Sequence, residues 1–188
     1  MTREDELNEL IGRSRRGDLA AFAEIAERMA PRIHALAKLI LGDDDLAADA
    51  AQETLIRVWQ ELPRLREPER FEAWLHRITV NKCRDELRHK RRIQTLVREV
   101  VPQLLPDASQ YVADRAEIGA AFRRLRHEQR EVLALRYYSG LEPAEIAAVL
   151  GARPGTVRSR LHHALRALRA ELEAERRAAG PRATPLTG

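Results

Sequence analysis

Residues 140–172 read GLEPAEIAAVLGARPGTVRSRLHHALRALRAEL, and their apolar and chain-breaking residues spell two helices with a tight turn between them. Leu141, Ile146, Val149 and Leu150 recur at helical spacing, and Pro143 sits where a first turn tolerates a missing amide hydrogen. Gly151 supplies a left-handed residue to end this short helix. After Ala152 and Arg153, Pro154 opens a second helix carrying Val157, Leu161, Leu165 and Leu168 on one face. From Gly151 through Ala170 the ionisable residues are Arg153, Arg158, Arg160, His162, His163, Arg166 and Arg169, with no carboxylate among them. A phosphate polyanion meets no repulsion there. The spacing predicts a helix-turn-helix whose second helix enters a DNA major groove, its arginines pairing with guanine or holding phosphates. The plainer alternative is an ordinary helical pair with a solvated arginine-rich face.

The chain has 188 residues, enough for one domain or two small ones, and its 44% hydrophobic and 33% charged residues are a globular balance. No run approaches the roughly 18 apolar residues of a membrane span, and MTREDELNEL has no apolar signal core, so a cytoplasmic location is expected. Cys83 is the only cysteine, which excludes an internal disulfide; a half-buried helical residue is expected rather than a sensor thiol. The net charge of +4 conceals a pattern. Residues 1–62 carry −5, 63–92 carry +5, 93–119 carry −2, 120–172 carry +5 and the remainder +1. Two basic blocks separated by an acidic one suggest two DNA contacts and a further surface for something else.

The first block reads as helices. Leu7, Leu10 and Ile11 form a short stripe, Phe22, Ile25, Ala26 and Met29 a second before Pro31, and Ile33, Leu36, Ala37, Ile40 and Leu41 continue the face to Gly42. Residues 43–45 are three aspartates that lack the alternating ligands and central glycine of a calcium loop, so capping is expected. In the next helix Ala47, Ala51, Leu55, Val58, Trp59 and Leu62 face a core, while Asp49, Gln52, Glu53 and Arg57 fall on or near another face.

Pro63 and Pro68 frame a charged loop. The helix from Phe71, with Trp74, Leu75 and Ile78 inward, ends in Arg88, Lys90, Arg91 and Arg92. Such a helix can follow a phosphate backbone while the loop before it accepts an unstacked base; the plainer alternative is a solvated basic end favoured by the helix dipole. Residues 93–115 are expected to be a linker, part of which docks through Ile93, Leu96, Val97, Val100, Val101, Leu104 and Leu105. A helix then carries Ile118, Phe122, Leu125, Val132, Leu133 and Tyr137 as companions to the helix-turn-helix, and residues 173–188 are expected to be a frayed tail.

The runs DLAADAAQETLIRVWQEL (45–62), FEAWLHRITVN (71–81), LRHEQREVLALRYYSGLEPAEIAAVLG (125–151) and GTVRSRLHHALRALRAEL (155–172) together resemble bacterial sigma factors of the extracytoplasmic-function group. The resemblance extends from about Phe22 to Leu172 in that family's order and spacing. It implies an all-α fold of two small helical domains: residues 1–92 for core polymerase binding and minus-10 recognition, 93–115 a linker, and 116–172 a helix-turn-helix domain for minus-35 recognition. Its implied partners are core RNA polymerase, promoter DNA and an anti-sigma protein. It implies no catalytic chemistry, cofactor or metal.

By the same resemblance, Asp49, Gln52, Glu53 and Arg57 dock on the polymerase's largest subunit. Leu65, Arg66, Trp74, Asn81, Arg84 and Arg88 serve the minus-10 element, where a flipped base is captured. Thr156, Arg158, Ser159, Arg160, His162 and His163 read the minus-35 duplex, with Thr156 near a phosphate at the helix N-terminus. The loop departs from the family pattern: Leu65, Arg66 and Glu67 stand where phenylalanine, arginine and glycine are usual. Glu142 and Arg153 replace the small hydroxyl caps of the two short helices, so weaker capping is expected. His163 stands where arginine is frequent, and a neutral imidazole contributes less to an anion. Two other classes compete with this reading. A stand-alone dimeric helix-turn-helix regulator leaves the first 92 residues without a use, and a metal hydrolase needs histidines clustered rather than scattered.

Overall fold

Aspartate caps and left-handed glycines divide the first half of the chain into helices. In the computed structural model, which describes residues 3–97 and 113–178, α1 (Arg3–Arg15) runs to a turn at Gly17. There the Asp18 carboxylate accepts the Ala21 amide at 3.0 Å and two bonds from Arg13, starting α2 (Leu19–Leu41). These hydrogen bonds, the Ala21 amide first, hold the Asp18 carboxyl below its ordinary range. Pro31 lies inside α2 on its solvent side, where water can serve the carbonyl that loses its donor. Gly42, at φ +68°, closes α2. Asp43 then caps α3 (Asp44–Glu61) by accepting the Leu46 amide at 3.2 Å, and Asp44 pairs with Lys38 at 2.8 Å. The expected cap is thus supplied by Asp43, and Asp44 adds an ion pair.

Two 3-10 turns, Leu62–Arg64 and Pro68–Arg70, carry the chain from α3 into α4 (Phe71–Val97). Ile11, Ile25, Val58, Leu62, Phe71 and Leu75 form a first core among α1 to α4. Thr54 and Thr79, buried with it, bond back to the carbonyls of Ala50 and Leu75, so their hydroxyls stay satisfied.

α4 extends five residues past Arg92, into the segment expected to be a linker, and α5 (Ala113–Arg124) begins before that segment ends. The rest of the expected linker, residues 98–112, lies outside the described residues. The expected single companion helix is broken at residues 125–126, and α6 (His127–Leu133) follows. A π-helical turn, Ala134–Tyr138, comes next, closed by the Ser139 amide on the Ala134 carbonyl at 3.1 Å. This turn takes one more residue than an α-turn, which carries Tyr137 off the apolar face, and it is 66% exposed. Ile118 is 52% exposed; α5 buries Ala121 instead. Neither is the core residue that periodicity predicted.

α7 (Pro143–Leu150) and α8 (Pro154–Ala178) form the expected helix-turn-helix, with Gly151 at φ +64° between them. Glu145 accepts the Glu142 amide at 2.7 Å, supplying half of a capping box. This bond lies three residues beyond the cap and restores part of what the missing hydroxyl would have given. Glu142 itself pairs with Arg136 at 2.7 Å. α8 runs six residues past Leu172 into the stretch expected to fray, and Arg124–Glu175 and Arg176–Glu117, each at 3.2 Å, tie its last turns to α5.

The second core crosses between the two helical domains. Leu36, Ile40, Val80 and Cys83 of the first pack with Val132, Leu135, Ile146, Val149 and Val157 of the second. Cys83 is fully buried, and burial pushes its thiol up to about 12. Among the described residues there is no strand, and no helix is long and apolar enough to cross a membrane.

Candidate functional site

The second helix of the helix-turn-helix buries Val157, Leu161 and Ala164, positions four and three residues apart. That stripe fixes which side chains must face outward. Thr156, Arg158, Ser159, Arg160, His162 and His163 are all exposed. The two histidine rings lie edge to face with centroids 5.7 Å apart. This face combines an acid-free surface with a helix N-terminus, where backbone amides and cationic side chains favour phosphate.

On α3, burial of Ala47, Ala51, Thr54 and Val58 leaves Asp49, Gln52, Glu53 and Arg57 exposed. Glu53 is bound by Lys82 of α4 at 3.0 Å, and Arg57 pairs with Glu61 at 2.6 Å. Ile56 is 42% exposed and Trp59 37%, although periodicity had placed Trp59 in the core. The Trp59 ring rests on Phe22 with centroids 4.8 Å apart. It borders an open apolar groove formed with Ala26, Ala30, Ala51 and Leu55. The signal for Ile56 was in the sequence: it lies three residues from Glu53 and four from Gln52, on the face already marked as polar.

The loop between α3 and α4 builds a cavity of about 290 Å³ in which Leu65, Arg66 and Trp74 meet, joined by Arg70 and Arg77. Asn81 does not join them; it lines a neighbouring cleft with Arg57, Glu61 and Lys82. Arg77 borders both cavities and was missed, because helical spacing alone does not say which cleft a residue will edge. Arg84 is turned toward the other domain, where its guanidinium makes paired bonds to Glu131 at 2.8 and 2.9 Å. Arg88 is exposed beside Asp85, to which it is bonded. The minus-10 set therefore divides into a cavity group, one residue in the next cleft, and two arginines already holding carboxylates.

Comparison with known proteins places these features in a lineage. The Sigma-70 region 2 family matches residues 25–93, and the Sigma-70, region 4 family matches residues 115–168. The chain is 37% identical over 163 residues to the ECF RNA polymerase sigma factor SigE of Mycolicibacterium smegmatis, covering 81% of this chain and 63% of that protein. It is 38% identical over 144 residues to SigL of Mycobacterium tuberculosis, covering 71% and 78%. To SigW of Bacillus subtilis it is 31% identical over 176 residues, covering 86% and 94%. Among solved structures, the sigma factor RpoE in complex with the anti-sigma factor NepR from Bartonella quintana superposes with a TM-score of 0.68 at 26% identity, covering 82% of this chain and 98% of that one. CnrH in complex with the cytosolic domain of CnrY gives 0.67 at 26% identity, covering 91% and 99%.

Proposed function

The chain belongs to the ECF sigma factors, and from that premise we propose that it binds core RNA polymerase and directs it to specific promoters. In this reading residues 1–92 bind polymerase and the minus-10 element, residues 93–115 connect, and residues 116–172 read minus-35 duplex. Asp49, Gln52, Glu53 and Arg57 contact polymerase, with Ile56 and Trp59 as the apolar centre of the same patch. An interface of that make-up, aromatic anchor within a polar rim, is what a protein partner uses. Thr156, Arg158, Ser159, Arg160, His162 and His163 meet the minus-35 duplex. Leu65, Arg66 and Trp74 receive a base unstacked from the minus-10 strand, at a cost of a few kcal/mol that new contacts must offset.

The observation that carries this reading is the outward face of α3. A regulator that touched only DNA would have no use for a tryptophan and an isoleucine left unburied among exposed polar residues. The sigma factor RpoE named above is in complex with the anti-sigma factor NepR, and CnrH with the cytosolic domain of CnrY, and a partner that covers such surfaces is proposed here as well. Run-off transcription from a library of promoter-sized fragments, with core polymerase and with or without the protein, tests the proposal. Specific starts that require the protein support it. No starts, together with a shift of a palindromic fragment by the protein alone, would replace it with a dimeric DNA-binding regulator.

A further inference from the structure

The two DNA surfaces proposed above are not equally accessible. The minus-35 face of α8 is open. The cavity holding Leu65, Arg66 and Trp74 is closed on one side by Ala148 and Val149 of α7, and Val149 is buried there. The first helix of the helix-turn-helix therefore lies against the base-capture cavity while the second presents itself to solvent.

Three features hold this arrangement. The Glu131 carboxylate, only 2% exposed, receives both donors of Arg84. Arg130, the next residue back, donates to the Ile40 and Leu41 carbonyls at the end of α2. Apolar residues of the shared core fill the space between. The seam nevertheless contains a cavity of about 210 Å³ bordered by Arg32, Glu72, His76, Thr79, Tyr138 and Ser139. Two of its polar atoms, His76 Nδ1 and Ser139 Oγ, are buried without hydrogen-bond partners. The unpartnered atoms weaken the seam, and separation would return them to water, whereas loss of either member of the Arg84–Glu131 pair leaves a charge in the seam uncompensated.

We infer that the second domain is an internal cover for the minus-10 cavity, latched by Glu131 in the position on Arg84 that a DNA phosphate would otherwise take. The inference rests on the promoter reading for the identity of what enters the cavity. Glu131 fills the Nε and Nη2 edge of Arg84, so a phosphate approaching that edge in paired fashion must displace the carboxylate. Closure leaves minus-35 reading available and withholds minus-10 reading until the domains part.

The test places labels on Glu9→Cys and Glu173→Cys, both exposed positions on opposite domains, in the full-length chain carrying Cys83→Ala, since Cys83 lies in the shared core and would be reached once the domains part. Distances are measured by double electron-electron resonance with and without Glu131→Gln. A single narrow distribution is expected for the parent chain and a broader, longer one for the variant. The variant should also bind a pool of random single strands of about 12 nucleotides roughly tenfold more tightly, within the range of an ordinary coupling between sites. If Glu131→Gln folds poorly, the pair Arg84→Gln with Glu131→Gln is read by distance alone, since it leaves no unpaired charge but also removes the guanidinium proposed to meet the phosphate. A distribution that is already broad in the parent, or unchanged in a folded variant, overturns the latch. Silent run-off assays beside distances that respond remove the promoter reading and leave the latch standing.

Discussion

The guanidinium of Arg130 lies over Gly42, its Nη1 3.3 Å from where a Cβ would stand. From there it reaches the Ile40 and Leu41 carbonyls of α2 and the Arg123 and Leu125 carbonyls at the end of α5. One side chain thus serves the orphan carbonyls of two helix ends in two domains. Gly42 is needed twice, for its φ of +68° and for the space above it. Gly42→Ala is expected to cost about 1–2 kcal/mol from the left-handed backbone alone, with more if Arg130 must move. Denaturant unfolding measures this, and an unchanged midpoint would refute it.

His163 offers a gain rather than a loss. It is exposed on the α8 face beside Arg160. His163→Arg is expected to tighten binding to minus-35 duplex and to steepen the dependence of log K on log salt by about 0.9 for one added phosphate contact. Fluorescence anisotropy at several salt concentrations reads both, and an unchanged slope argues that this position does not face a phosphate.

If α3 meets polymerase as proposed, a change at Trp59 separates polymerase binding from DNA binding. Trp59→Ala removes a ring that rests on Phe22 but is not sealed in the core. Loss of about 2 kcal/mol in affinity for core polymerase, roughly thirtyfold, is expected, with minus-35 duplex affinity unchanged. Equal polymerase affinity of variant and parent would take this residue out of the interface.

Burial, more than any neighbour, pulls the His76 imidazole below its ordinary value; Glu72 on its own helix and Glu145 of α7 act to raise it, and Arg32 of α2 to lower it. The folded chain therefore keeps this ring neutral while the unfolded chain takes up a proton as pH falls below about 6.5. The contribution is whole above that pH and is lost as pH falls toward and through the depressed value. Unfolding free energies between about pH 5 and 8 should drop more steeply for the parent than for His76→Leu. Parallel curves would remove His76 from the balance.

Cys83 should behave as an inert core residue. With its thiol pushed up to about 12 and fully buried, it is expected to resist iodoacetamide at pH 8 in the folded chain and to react fully in guanidinium. Rapid alkylation of the native protein would show that the seam around it opens readily.

Much of this protein could be read from local rules. Apolar residues three and four apart located α2, α3, α4, α7 and α8, the aspartates announced a cap, and Gly42 and Gly151 marked helix ends, because each depends on neighbours within one or two turns. The exposed arginine- and histidine-bearing face of α8 followed from the same periodicity. What depended on residues far apart in the chain did not follow. The exposure of Trp59 is set by how α2 lies on α3, and the π turn that turns Tyr137 outward shows no local signature. Arg84 had been placed on the basic DNA-binding helix, yet its partner Glu131 stands 47 residues away in the other domain. Helical periodicity determined which side chains share a face; the packing of one domain on the other decided which of those faces stayed open to solvent.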